Sequence, residues 1–310
     1  MQNMIGIDVS KATLDVYCMT RDEHRQFANA ADGLAALFRW ASSDETLVVF
    51  EASGAYHRDL ERMLSRLGLA FAKVNPRQAR RFAEAMGRVA KTDRLDAEML
   101  ARMGRALQLE ATQTHSEALG DLRELLVFRR GLIKDRTAAK TRLKTARHAM
   151  LRRLLIQRLG QIERQLAKVD AAMKAIVASD PDLANRSEIL TSIPGISTTS
   201  AIALLAEMPE LGALTGKQAA ALAGLALISR QSGQWQGHER VQGGRPSVRQ
   251  ALFMPTLCAI QHNRAARSKF DDLVRAGKPR KVAVTAVMRK LVVLANALIR
   301  DGRKWVPEPA

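Results

Sequence analysis

The chain has 310 residues, with 49 Lys or Arg against 31 Asp or Glu, so its formal net charge is +18. This excess predicts a polyanionic partner, with an affinity that falls as salt rises. Aromatic residues make up only 4% of the chain, which argues against a single-strand binder built on base stacking.

Other features of the sequence argue against a membrane-spanning, secreted or disulfide-rich protein. No apolar run approaches the roughly 20 residues needed to cross a bilayer, and the N-terminus lacks the pattern of a signal peptide. The two cysteines, Cys18 and Cys258, form neither a disulfide framework nor a metal-binding spacing. We therefore predict a cytoplasmic protein that has no membrane partner.

The first third of the chain alternates strand and helix signals, which predicts a mixed sheet with helices on its faces. The predicted strands are Asn3–Asp8, Thr13–Met19, Arg25–Ala28, Thr46–Glu51 and Leu69–Val74. The predicted helices are Ala31–Ala41, Tyr56–Leu67, Pro76–Met86 and Asp93–Leu107. We place the first domain, an α/β domain, at residues 1–110.

Four carboxylates stand at the ends of these elements. Asp8 and Glu51 end two apolar runs, and Asp93 and Asp96 open a helix three residues apart. If the two strands are parallel neighbours, Asp8 and Glu51 emerge side by side at the carboxyl edge of the sheet. Asp93 and Asp96 share one face of their helix. Such hard oxygen ligands suit two Mg²⁺ ions acting on a phosphodiester.

Each carboxylate also has a simpler interpretation. Asp93 could cap the helix, and Asp96 could interact favourably with the helix dipole. Asp8 could form the turn that ends its strand. Glu51 could interact favourably with the dipole of the next helix. Their joint occurrence favours the metal site. Basic residues near this helix form either a solvated face or a phosphate-binding rim, and they include Arg77, Arg80, Arg81, Arg88 and Lys91.

The middle of the chain, residues 111–180, is predicted to be helical. It carries a heptad seam formed by Leu155, Leu159, Ile162, Leu166, Val169, Met173 and Ile176. The seam predicts either a helix pair packed within one chain or a coiled coil between two copies, and the sequence leaves both open.

Residues 181–310 are predicted to form an all-α domain up to Ile299, with a loose tail from Trp305. The turn from Ile193 to Ile196 resembles a helix-hairpin-helix turn, in which Gly195 and the next helix would approach a phosphate. An ordinary helix–helix loop remains the alternative. Arg245 and Arg249 are candidates for further contacts with nucleic acid.

Several motifs together resemble the DEDD transposases of bacterial insertion sequences. They are IGIDVSK at 5–11, EASG at 51–54, VNP at 74–76, KTDRLDA at 91–97, IPGI at 193–196, LAGL at 222–225, QSG at 231–233 and RQALFMP at 249–255. Their order and spread over nearly the whole chain make the resemblance specific. It implies an N-terminal RuvC-like domain with a ribonuclease H fold, followed by a coiled-coil region and a helical C-terminal transposase domain.

The resemblance also implies a mechanism. Carboxylates Asp8, Glu51, Asp93 and Asp96 would bind Mg²⁺, and Ser232 would attack a DNA phosphate to give a covalent phosphoserine intermediate. Because QSG is followed by an unexpectedly polar and aromatic stretch, Ser229 and Ser247 remain alternative nucleophiles. The implied partners are donor and target double-stranded DNA, a structured bridge RNA, and further copies of the chain in a dimer or tetramer, acting on the bacterial nucleoid.

Two other functions stay open at this stage. A purely hydrolytic RuvC-like nuclease or junction resolvase would need the carboxylates but not Ser232. A non-catalytic nucleic-acid-binding protein would need only the basic surface and the coiled coil, and the strand-end carboxylates argue against it.

Overall fold

The computed structural model describes residues 3–41, 46–52, 54, 56–87, 93–112, 116–229, 231–232, 235–236 and 239–307. The chain divides into two compact units, residues 1–115 and residues 116–310. Each unit has its own hydrophobic core.

The first unit contains a five-stranded mixed sheet in the order β3-β2-β1-β4-β5. Its strands are β1 (Asn3–Val9), β2 (Thr13–Cys18), β3 (Glu23–Ala28), β4 (Thr46–Glu51) and β5 (Phe71–Val74). The three first strands pair antiparallel as a meander. β4 then pairs in parallel with both β1 and β5. The predicted mixed sheet is confirmed, and it agrees with a ribonuclease H-like α/β domain.

Four helices cover this sheet, and their bounds are α1 (Ala31–Ala41), α2 (Arg58–Arg66), α3 (Pro76–Ala85) and α4 (Asp93–Ala106). Residues alternate between the two faces of each strand. Ile5, Ile7 and Phe50 face a core shared with α1 and α2. Met4 and Val49 face a second core, to which α4 contributes. The sheet is therefore buried on both faces, which explains why its central strands are nearly continuous apolar runs.

The second unit begins with two long helices, α5 (Glu117–Thr145) and α6 (Ala149–Ser179). They pack within one chain around a core that includes Leu122, Leu126, Ile162, Leu166 and Met173. An ion pair between Arg129 and Asp170 at 2.6 Å joins the two helices. The heptad seam is thus occupied from Ile162 onward by the chain's own partner helix.

The rest of the second unit contains α7 (Pro181–Ser192), α8 (Thr198–Glu207), α9 (Gly216–Leu222), α10 (Pro246–His262), α11 (Arg264–Arg275) and α12 (Arg280–Arg300). Four two-residue strands lie between α9 and α10, namely β6 (Leu227–Ile228), β7 (Gln231–Ser232), β8 (Trp235–Gln236) and β9 (Arg240–Val241). The prediction of an all-α domain is therefore wrong in this segment. Its β-branched and aromatic residues separated by Gly and Gln favour short hairpins over helix.

Helix α12 and the C-terminal tail bear on two further expectations. By length and mean hydropathy (1.9), α12 could cross a bilayer, although Arg289 and Lys290 interrupt its apolar run. Its side chains, such as Val292 and Ala295, instead belong to the core of the second unit. The predicted loose tail is not loose at Trp305, because its side chain packs against this core and its backbone N–H donates to Ser192 Oγ at 2.8 Å.

Candidate active site

The carboxyl edge of β1 and β4 carries two carboxylates in matching positions. The parallel register pairs Ile5 with Val48 and Ile7 with Phe50. The same offset, carried one residue further, places Asp8 opposite Glu51. Adjacent residues in register on neighbouring parallel strands are about 4.8 Å apart and share a face of the sheet. The predicted parallel pairing of these strands is confirmed, and both carboxylates are half-buried.

Helix α4 crosses the same face in close contact with β1. A Cβ added at Gly6 would collide with the carbonyl oxygen of Ala97 and lie 2.6 Å from the amide nitrogen of Ala101. A Cβ added at Gly104 would lie 3.4 Å from the sulfur of Met4. As β1 runs from Met4 towards Asp8, α4 therefore runs in the opposite direction, and its first turn lies towards the carboxyl edge.

This direction brings the first turn of α4 to the carboxylates of the sheet. Asp93 is the first residue of the helix and lies one turn before Ala97, which contacts Gly6. Asp96 lies one turn before Leu100, which is buried in the core beneath α4, and is itself half-buried. Residues one turn apart lie on the same helix face, so these two positions overlie the edge that carries Asp8 and Glu51.

The four positions share one edge, yet they do not form a ready-made metal cluster. Among the side chains that the structure describes, no group of three His, Cys, Asp or Glu is close enough to hold an ion. The side chain of Asp93 lies outside that description. The donor set itself, carboxylate oxygens alone, has the chemistry that Mg²⁺ prefers.

A fifth carboxylate on this face was not identified from the sequence. Asp15 of β2 is directly opposite Asp8 in the antiparallel pair, so both lie on the face covered by α4. The amide of Gln26 donates to both of its oxygens, at 3.0 and 3.3 Å. The signal that could have revealed Asp15 was the short turn after β1, which folds β2 back onto the strand that ends near Asp8.

The predicted basic rim is only partly described. Arg77, Arg80 and Arg81 are exposed on α3, which starts at the carboxyl end of β5 with Asn75 as its N-cap. Arg80 pairs with Glu84 at 3.2 Å. Arg88 and Lys91 lie outside the described residues.

On the opposite face of the sheet, α2 carries a charged cluster. Lys73 Nζ donates to both oxygens of Glu61, at 2.8 and 3.0 Å, and His57 Nε2 lies 3.5 Å from the same carboxylate. Burial opposes ionisation of Glu61, but hydrogen bonds from His57 and Lys73 outweigh it and lower its pKa to about 2. This cluster fastens α2 to β5.

In the second unit, Ser232 lies in a short hairpin and not in an irregular loop. It is the last residue of β7 and pairs with Trp235 of β8, so only two residues connect the strands. The side chain of Ser232 lies outside the described part of the chain.

The two alternative serines have different surroundings. Ser229 is exposed just after β6. The hydroxyl of Ser247 donates to Glu207 Oε2 at 2.6 Å, and the other oxygen of Glu207 pairs with Arg130 at 2.6 Å. Ser247 therefore belongs to a network that ties α10 to α8 and α5.

Three predicted nucleic-acid contacts have partners within the protein. Arg245 forms two hydrogen bonds with the carboxylate of Glu210, at 2.9 and 2.7 Å. Arg249 donates to the carbonyl of Gly243 at 2.7 Å. Gly195 has a φ of 104°, and a Cβ there would lie 2.6 Å from the backbone of α10. At all three positions the structure shows a packing role.

Comparison with known proteins places the chain in a family. Residues 5–153 match the DEDD transposase model of IS110, described as a transposase. Residues 187–271 match a model described as transposase of the IS116/IS110/IS902 family. The chain is 29% identical over 316 residues to the pilin gene-inverting protein of Moraxella lacunata, and 28% to that of Moraxella bovis, with 97% of each chain covered.

A further relative matches only the first part of the chain. The uncharacterized 43.6 kDa protein of insertion element IS110 from Streptomyces coelicolor is 26% identical over 150 residues, which cover 48% of this chain and 36% of that protein. The two family matches together span most of the chain, in the order in which the motifs occur. The chain therefore belongs to the IS110 family of DEDD transposases.

Proposed function

We propose that this transposase cuts and rejoins DNA through two chemical groups, a carboxylate edge that holds Mg²⁺ and a serine that forms a covalent bond to DNA. The observation that carries the proposal is the register of β1 and β4, which sets Asp8 beside Glu51 beneath the first turn of α4. Carboxylates aligned at the carboxyl edge of two parallel strands have the donor chemistry that Mg²⁺ prefers.

Mg²⁺ fits this edge by the chemistry of its donors. Asp8, Glu51, Asp93 and Asp96 would hold the ions, since like-charged carboxylates repel until a cation offsets their charge. Bound Mg²⁺ would neutralise the scissile phosphate and stabilise the charge that develops on its oxygens. The chain's own part is to hold two of these carboxylates on strands β1 and β4 and the other two on helix α4.

Ser232 would supply the attacking atom. A bond forms between its Oγ and the phosphorus, the bond between phosphorus and one deoxyribose oxygen breaks, and that oxygen takes up a proton as a free hydroxyl. Reversal by another strand's hydroxyl rejoins the DNA with no external energy source. Ser232 is favoured over Ser247 because it stands in the QSG motif that carries the family resemblance. The Ser247 hydroxyl donates to Glu207, but Arg130 pairs with that carboxylate in a network that ties three helices together.

Double-stranded DNA is the partner that family membership implies, and we propose that a structured bridge RNA guides the protein to donor and target sites. The net charge of +18 suits both polyanions. Exposed Arg77, Arg80 and Arg81 on α3 are the described residues best placed to contact a backbone beside the carboxylates. Arg245 and Arg249 are weaker candidates, because their guanidinium groups bind protein acceptors.

We further propose that the active form is a dimer or tetramer. Exchange between two duplexes requires at least two active subunits. The N-terminal end of α6 lies beyond the buried part of the heptad seam, and there Met150, Leu151, Leu154 and Ile156 are 49–58% exposed. These side chains lie beside the seam positions, and a second copy that covered them would bury this apolar surface.

The relatives' name favours rejoining over simple hydrolysis. The Moraxella proteins are described as inverting a pilin gene, and inversion requires cut strands to be joined again. The second candidate function is that of a hydrolytic RuvC-like nuclease. Hydrolysis would need the carboxylate edge alone and no nucleophilic serine.

One experiment separates the two candidates. The protein is incubated with Mg²⁺, RNA transcribed from the non-coding part of the element, and labelled duplex DNA carrying the element junction, and the products are resolved on a denaturing gel. We expect a DNA–protein adduct that Ser232→Ala abolishes and that Ser229→Ala leaves intact. Cleavage without an adduct would establish the nuclease, and normal recombination by Ser232→Ala would exclude this serine.

A further inference from the structure

The segment that carries Ser232 leaves the helical core and returns to it through a closed neck. We call residues 225–244 the serine arm. Where the arm returns, the N–H of Arg245 donates to the carbonyl of Leu222 at 2.8 Å. A Cβ added at Gly244 would collide with the backbone of Gly224, and both residues have positive φ, 61° and 67°. Only glycine lets the two ends approach this closely.

Arg249 bridges the two sides of the neck. From the first turns of α10, its Nη1 donates to the carbonyl of Gly243 at 2.7 Å and lies 3.4 Å from that of Gly224. One guanidinium therefore contacts both the outgoing and the returning chain. Arg245, at the start of α10, fixes the returning chain to α8 by donating to the carbonyl of Glu207 at 2.8 Å.

Leu225, the first residue of the arm, is buried in the core of the second unit, but the described residues that follow it are not seated in a core. Leu227, Ile228 and Val241, which form the base of the arm, are 40–54% exposed. The orientation of the arm must then depend strongly on the neck. Ser232 is eight positions after Gly224 along the chain, a reach of at most about 26 Å, so a small rotation at the neck would displace the serine by ångströms. Misplacement of a reacting group by about 1 Å can cost about 100-fold in rate.

We propose that Arg249 is a positioning residue for the nucleophile, which it serves by clamping the neck of the serine arm to α10. This inference rests on the proposed role of Ser232. Both carbonyls are contacted by Nη1, which lies one bond further from the backbone than the Nζ of a lysine, so the compact ammonium of a lysine at this position has a shorter reach. A lysine at position 249 keeps the positive charge but should not restore the clamp.

The test compares Arg249→Ala and Arg249→Lys with a matched control, Arg267→Lys. Arg267 also donates to two backbone carbonyls of α10, those of Ile260 and Gln261, but at the far end of that helix. Three properties are measured on the full chain: the rate of adduct formation on the junction duplex with RNA and Mg²⁺, the salt dependence of duplex binding, and the rate of tryptic cleavage within the arm, which contains Arg240.

We expect both Arg249 variants to form the adduct about 10- to 100-fold more slowly and to be cleaved faster in the arm, with unchanged duplex affinity and salt dependence. Arg267→Lys should match the wild type in all three. Adduct formation at the wild-type rate in Arg249→Lys would overturn the clamp. So would weaker binding with a shallower salt dependence in Arg249→Ala alone, because that pattern indicates a phosphate contact.

The clamp by Arg249 and the role of Ser232 as nucleophile can be tested separately. If Ser232→Ala still forms an adduct, the proposed nucleophile is wrong. Faster tryptic cleavage of the arm in both Arg249 variants would nevertheless support the clamp, since this measurement does not depend on which atom attacks the DNA. Arm cleavage at the wild-type rate would overturn it.

Discussion

Asp8 and Glu51 occupy matching positions on two parallel neighbouring strands, one residue beyond the pair formed by Ile7 and Phe50. This register cannot shift by one residue without turning Ile7 and Phe50 out of their core, because side chains alternate between the two faces. Burial of the apolar residues therefore fixes the two carboxylates side by side. The position of the proposed metal-binding edge follows from the same packing that stabilises the sheet.

Neutralising these carboxylates should remove strand cleavage without unfolding the protein. We expect Asp8→Asn and Asp96→Asn to lower Mg²⁺-dependent cleavage by more than about 100-fold, since even outer-shell partners of a metal contribute 10- to 100-fold. Binding of RNA should be retained, because neither change removes a positive charge. The measurement is cleavage of the junction duplex beside a filter-binding assay for RNA.

Asp32→Asn provides the control for this prediction. Asp32 lies exposed in the first turn of α1, in the same unit, and its change should leave cleavage intact. Loss of the cooperative unfolding transition in Asp8→Asn would show instead that Asp8 is needed for the fold.

Gly6 should be irreplaceable because α4 lies directly on it. A Cβ at this position collides with the backbone of Ala97 and comes within 2.6 Å of that of Ala101, and backbone atoms cannot turn aside as a side chain does. We expect Gly6→Ala to destabilise the first unit by at least the 1–3 kcal/mol typical of overpacking, measured by urea unfolding. It should also lower cleavage, since α4 carries Asp93 and Asp96 away from Asp8 when it lifts.

The matched control is Gly120→Ala in α5, where an added Cβ meets nothing within 4 Å. Alanine there should stabilise the helix by about 0.5–1 kcal/mol. Equal unfolding free energies for wild type and Gly6→Ala would contradict the close crossing of α4 over β1.

Much of the first unit can be predicted from sequence because the signals for its strands and helix starts lie within short segments of the chain. Buried parallel strands such as Thr46–Glu51 read as continuous apolar runs, and Asn75-Pro76 marks a helix start. The serine arm could not be predicted, because strands of two residues show no periodicity. The contacts of Arg249 with the carbonyls of Gly224 and Gly243 depend on tertiary packing, so no local sequence pattern predicts them.

The ion pair of Glu61 should make the first unit sensitive to acid. Its pKa is about 2 in the folded protein against an ordinary value of 4.5, so the stabilisation is fully present above about pH 4.5 and is lost as the pH falls towards 2. The shift corresponds to about 3 kcal/mol at neutral pH. We expect Glu61→Gln to lose this amount at pH 7 and much less at pH 2.5, in urea unfolding followed by circular dichroism.

Glu84→Gln is the control for the acid prediction. Glu84 pairs with Arg80 on the surface of α3, where the side chains are 62% and 84% exposed, and such a pair contributes little. Its unfolding free energy should follow that of the wild type at every pH. If the unfolding free energies of Glu61→Gln and the wild type differed by the same amount at every pH, ionisation of Glu61 could not be the source of the stabilisation.

The exposed N-terminal end of α6 should decide whether copies of the chain associate. Leu154 and Ile156 are 52% and 57% exposed, so replacing them with lysine removes little burial within one chain. We expect Leu154→Lys with Ile156→Lys to shift the protein from oligomer to monomer in sedimentation, with its melting temperature at low concentration unchanged. Gln157→Lys adds charge at a polar exposed position of the same helix turn and should leave the oligomer intact. Dissociation by Gln157→Lys alone would identify charge repulsion, and an unaltered oligomer in the double variant would place the interface between copies elsewhere on the chain.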